Sequence, residues 1–147
     1  MKLFKEQKGF TLIELLVVIA IIGILASIVL ASLNTARDRG RNASIRASLS
    51  QMRAQAEIFY DTAGDYQVAS GDNACGSSTH TALDLDVLEA AATTQGATDV
   101  ECNANDTAWA ADATLLGAGA GNFCVDSTGF AGGRTTDLAT ATVCPST

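Results

Sequence analysis

The sequence predicts an α+β fold in which one long N-terminal helix packs on a small antiparallel β-sheet, and three observations point there. An apolar run near the N-terminus passes without a break into a polar stretch with helical spacing. Further along, period-two alternation flanks a glycine-rich turn. Four cysteines, all beyond residue 74, supply the covalent ties that small domains use. With the apolar run set aside, 147 residues leave room for one small folded domain.

The first nine residues, MKLFKEQKG, carry Lys2, Lys5 and Lys8 against Glu6 and read as a basic cytoplasmic flank. From Phe10 to Leu33 the only charged group is Glu14, and the 19 uncharged residues from Leu15 onward are enough to span a bilayer as a helix. An ordinary secretory signal has an apolar region of about 7 to 15 residues, shorter than this one and without a Glu14. A plain membrane anchor explains the length but not the carboxylate. An ionised side chain costs about 2.5 to 3.5 kcal/mol at the centre of such a helix and less near the interface, so a partner for Glu14 is expected.

After Leu33 the helix is expected to continue as an amphipathic segment. Ile45, Leu49, Met52, Ala56 and Phe59 recur at intervals of 4, 3, 4 and 3, a stripe that packs against the chain's own globular domain. Gly40 within it marks a bend or a close approach. Arg37, Arg39, Arg41, Arg46 and Arg53 make a basic stripe with no interleaved aromatic rings, so they are expected to be solvated or paired with acids of neighbouring copies rather than to stack on bases. Asp61, Gly64 and Asp65 end the helix.

A short helix is expected within residues 81–96, with Thr81 as N-cap and Gly96 after its end. Trp109, Ala111, Ala113 and Leu115 then fall on one side of a strand, residues 117–121 form a glycine-rich hairpin, and a second strand follows with Cys124 inside it. Residues 127–133 read as a turn and residues 140–147 as an edge strand. The spacings of Cys75, Cys102, Cys124 and Cys144 lack the close pairs of a zinc site and indicate disulfides in an oxidising compartment. Three connectivities remain open. Sequential pairs close the shortest loops, which favours Cys75 with Cys102 and Cys124 with Cys144, each worth about 3 kcal/mol.

Charge is segregated within a formal net of -7: eight of nine Lys and Arg fall in residues 1–60, whereas after residue 60 Arg134 stands alone against 12 acids. An acidic outer domain repels nucleic acid, which is not an expected partner. No catalytic constellation is present: His80 is the one histidine, in a polar stretch, and no glycine-rich phosphate loop precedes a helix. Asp84, Asp86 and the acids near Gly71 lack the spacing of a calcium loop, so neither a metal nor a cofactor is expected.

The stretch Lys8-Gly9-Phe10-Thr11-Leu12-Ile13-Glu14-Leu15 resembles the class III signal of type IV prepilins, the precursors of type IV pilins and secretion pseudopilins. The resemblance implies cleavage after Gly9, methylation of the new N-terminal Phe10, and pairing of Glu14 with the Phe10 amine of a neighbouring subunit. Such a pairing has a physical basis, because either charge left alone in an apolar helix bundle is penalised. The implied organisation is a leader over 1–9, a membrane and filament-core helix over 10–33, its amphipathic continuation over 34–60, and a disulfide-containing globular pilin domain over 61–147. The implied function is non-enzymatic: a structural subunit of a type IV pilus-like filament. Its partners would be copies of itself or related pilins, a prepilin peptidase, and an assembly platform in the cytoplasmic membrane. It would cross that membrane once before assembly and stand in an extracellular or periplasmic filament afterwards. A low-copy minor pilin or pseudopilin of a type II secretion or DNA-uptake machine is the alternative. One departure bears on this choice: Ala31 occupies the place of the helix-kinking proline of many major pilins, although Gly23 upstream is present.

Overall fold

The computed structural model describes residues 9–66, 75 and 85–145. His80, Thr81, Asp84 and the residues around Gly71 lie outside them, and Asp86 is described in its backbone alone. The chain divides between Arg37 and Asp38 into two compact units.

Helix α1, Leu12–Ala63, runs through that division without interruption. Its first part, up to Arg37, is built almost wholly of Leu, Ile, Val and Ala, and its backbone polar groups are satisfied within the helix, as an apolar solvent demands. Two of its polar side chains bond back to the helix: Ser27 donates to the Ile24 carbonyl at 2.8 Å and Thr35 to that of Ala31 at 3.4 Å. The segment is long and apolar enough to cross a membrane, with a mean hydropathy of 3.0 in its best window, and none of that window is buried within the chain. Gly40 marks no close approach, since a Cβ there would meet nothing within 4 Å.

The second unit holds the rest of α1, helix α2 (Leu85–Thr94), and strands β1 (Thr98–Ala104), β2 (Trp109–Thr114), β3 (Asn122–Asp126) and β4 (Ala131–Arg134). The strands form an antiparallel meander in the order β1-β2-β3-β4. All five residues of the helical stripe, Ile45, Leu49, Met52, Ala56 and Phe59, are buried, and they pack with Trp109, Ala111, Ala113, Leu115 and Val125 from the inner face of the sheet. Asn42 adds a polar lock: its side-chain amide donates to the Leu116 carbonyl at 2.9 Å and accepts from the Leu116 N–H at 2.8 Å, pinning the loop after β2 to the helix. The helix stops at Ala63, where the Gly64 N–H closes on the Tyr60 carbonyl at 2.7 Å.

A second, smaller cluster lies on the outer face, where Ala110 and Cys124 meet Leu138 and Cys144 of the tail. The disulfide Cys75–Cys102 joins β1 to the segment before α2, and Cys124–Cys144 joins β3 to the tail. These are the sequential pairs.

Three local expectations are corrected. Residues 98–104 form a strand where none was predicted. Val100, Cys102 and Ala104 do alternate, but Asp99, Glu101 and Asn103 dilute the signal, and Asp99 at φ 50° shifts the register between Thr98 and Glu101. Residues 131–133, expected to belong to a turn over 127–133, lie in strand β4. A Cβ on Gly132 would come within 2.8 Å of the Phe130 ring, so a side chain there would displace that ring. The tail, expected as an edge strand, is irregular. Side chains hold it instead: the Asn103 amide donates to the Ala139 carbonyl at 2.6 Å and the Asn105 amide to the Thr142 hydroxyl at 3.1 Å.

Candidate functional site

The helix begins at Leu12 because Thr11 caps it. The Thr11 N–H and hydroxyl donate to Glu14 Oε2 at 2.9 and 2.7 Å, and the Glu14 N–H reaches back to Thr11 Oγ1 at 3.3 Å. This is a capping box, in which the residue before the helix and the third residue inside it satisfy each other's orphan donors. It places the one carboxylate of the apolar segment at the positive end of the helix dipole, where negative charge is favoured. Phe10, 73% exposed, stands just outside the cap, next to the exposed Gly9. The Thr-x-x-Glu spacing could have signalled this box in the sequence, but the partner sought for Glu14 there was intermolecular. Two of the five arginines also find partners within the chain. The Arg46 guanidinium lies 5.6 Å from the centre of the Phe123 ring, and that of Arg53 donates to the Gly129 carbonyl.

The outer face of the sheet carries polar side chains that are nevertheless buried. Asp126 acts as a loop organiser: Oδ1 accepts from the Thr128 N–H at 2.9 Å, the Thr128 hydroxyl at 2.6 Å and the Phe130 N–H at 3.1 Å, while Oδ2 accepts from the Cys144 N–H at 2.9 Å. Burial alone would raise its pKa, but the donors of Thr128, Cys144 and Phe130 hold it below the usual carboxylate value.

Asp112 is less well served. Oδ2 accepts from the Leu138 N–H at 3.1 Å and the Asn122 amide at 3.3 Å, whereas Oδ1 is buried without a partner. Burial pushes this carboxyl up to about 6; the Leu138 N–H opposes the rise, and the charges of Glu101 and Asp137 add to it. A folded-state value above the unfolded one means that the stabilising contribution is present below an ordinary carboxylate pKa of about 4 and is lost as pH rises through about 6. Asp112→Asn is therefore expected to stabilise the globular unit at pH 7 by about 1 to 3 kcal/mol and to flatten its pH dependence between pH 4 and 6. Glu101, paired with Asp112 across β1 and β2, has a buried Oε2 without a partner, an acceptor for the new amide. Thermal melts of both chains from pH 4 to 8 test this; a lower melting temperature for the variant at pH 7 would refute it.

With this geometry in place, the comparisons with known proteins become informative. The family model described as the prokaryotic N-terminal methylation motif matches residues 4–30. The type IV wide pilus major component PilA4 of Thermus thermophilus is 44% identical over 55 residues, covering 37% of this chain. The chain thus spans less than half, 42%, of that relative's own length. No solved structure matches. Among the described residues no group of three or more His, Cys, Asp or Glu side chains could hold a metal ion.

The protein combines a helix long and apolar enough to cross a membrane with a disulfide-tied antiparallel meander. Over its N-terminal part the chain is similar to the prokaryotic N-terminal methylation motif and to a type IV pilus component.

Proposed function

We propose that the chain is a structural subunit of a type IV pilus-like filament, processed by a prepilin peptidase and polymerised through its N-terminal helix. The observation that carries this reading is the exposed apolar surface of α1. From Phe10 to Leu33 the large hydrophobic side chains are all exposed within the single chain, and Glu14 is their one charge. Such a surface needs lipid around it before assembly and apolar helices of other subunits afterwards. Cleavage after Gly9 would free the Phe10 amine, a cation that meets Glu14 of the next subunit and fixes axial register. Contacts of this kind join different faces of successive copies, so they propagate without closing. The cytoplasmic membrane holds the subunit until an assembly platform extracts it, and the finished filament lies outside that membrane.

The N-terminal mass of the chain recovered from cells with a prepilin peptidase tests the processing. The expected terminus is methylated Phe10, and an intact Met1 would break the reading. Copy number in sheared filaments separates a main filament subunit from a minor pilin or pseudopilin.

A further inference from the structure

Arg134 is the one base after residue 60, and it is buried, with only 5% of its surface exposed. It stands on β4 opposite Asn122, and its guanidinium lies 5.1 Å from the centre of the Phe130 ring. Its Nε and Nη2 have no hydrogen-bond partner. Removing a guanidinium from water without supplying acceptors is costly. Arg134 lines a pocket of ≈ 410 Å³ together with Asp126, Thr128, Phe130, Val143 and Cys144. Phe130 and Val143 give it an apolar rim, 38% and 43% exposed. Asp126 is not the missing acceptor: its oxygens accept from Thr128, Phe130 and Cys144 and from neither Nε nor Nη2 of Arg134.

We propose that this pocket binds a carboxylate group, held by the Arg134 guanidinium and flanked by Phe130 and Val143. A carboxylate matches the planar fork of a guanidinium with two parallel hydrogen bonds. The fixed negative charge of Asp126 in the same pocket favours a singly charged anion over a doubly charged phosphate. The apolar rim favours a carboxylate carried on a hydrocarbon body over a bare inorganic ion. Two sources share this chemistry: a small free organic acid, and an Asp or Glu side chain of a second copy. The site is independent of the filament reading, since none of its residues belongs to the N-terminal helix.

The test follows the Arg134 Nε–H resonance of the full chain in detergent micelles while sodium benzoate is added at constant ionic strength, with sodium chloride as control. A saturable shift with benzoate and none with chloride is expected. In Arg134→Lys, which lacks the fork, binding read on the neighbouring Phe130 and Val143 signals should weaken by about tenfold or more. Raising the protein concentration without benzoate distinguishes the sources. A shift that grows with concentration and is reversed by benzoate assigns the natural ligand to a second copy, and a shift seen with benzoate alone assigns it to a free acid. A resonance that neither benzoate nor protein concentration moves overturns the proposal, as does unchanged binding in Arg134→Lys. Because the decisive titration uses the unaltered chain, loss of folding in the variant cannot decide the outcome.

Discussion

A Glu14→Gln chain is expected to be cut and methylated normally and yet to lower the yield of sheared filaments by about tenfold or more, because the charge that fixes register is gone. The substitution is chosen for what it leaves intact. Glutamine serves as well as glutamate in a capping box, so the hydrogen bonds from the Thr11 N–H and hydroxyl keep an acceptor while the charge disappears. Thr11→Ala is the complementary change, since it removes the cap at a cost of about 1 kcal/mol to the helix terminus and keeps the charge. If Glu14 acts between subunits, filaments fail in Glu14→Gln and persist in Thr11→Ala. The opposite pattern would mean that Glu14 matters only as part of its own helix start. Filament yield after shearing and the N-terminal mass, measured on the same cultures, separate assembly from processing.

Truncating Trp109 to alanine is expected to cost about 3 to 5 kcal/mol, a large part of the roughly 5 to 15 kcal/mol by which a domain is stable. Trp109 is fully buried on the inner face of β2, in one cluster with Met52, Ala56 and Phe59 of α1. Its neighbours there on β2 are the small side chains of Ala111 and Ala113, which cannot collapse into the space it would leave. Trp109→Phe should cost distinctly less, because the indole Nε1 is buried without a partner and its loss leaves no group unpaired. Hydrogen exchange of the β2 amides reads this directly, since the helix before Arg37 would hide the effect in any average of helix content. Equal protection in Trp109→Ala and the unaltered chain would contradict the expectation.

The helix side of the fold was open to sequence reading because every signal there agrees. The stripe from Ile45 to Phe59 has one period, and the alternation from Trp109 to Leu115 has another, and each meets the other across a single core. The outer face was hidden by the same rule. Ala110, Asp112, Asn122 and Asp126 alternate with apolar residues, a pattern that means solvent in a simple sheet. Here the tail covers them, and nothing in residues 138–144 has a period that would announce it. The candidate site was legible in the Lys8 to Leu15 stretch as a motif, whereas the cap between Thr11 and Glu14 was found only in the structure. Arg134 could be singled out as the lone base of the acidic part, but its burial against Phe130 depends on the glycines of β4, read from sequence as a turn.

The cover on the outer face comes from residues 138–144, which follow all four strands in chain order. In a chain that appears from its N-terminal end, the sheet can pair while Asp112 and Asp126 are still wet, and only the arrival of Leu138 and Cys144 seals them. Completion of this unit therefore waits on a segment that comes late in the chain. Until that moment Cys124 has no rightful mate, and Cys75 and Cys102, earlier in the chain, are spared only if they have found each other first.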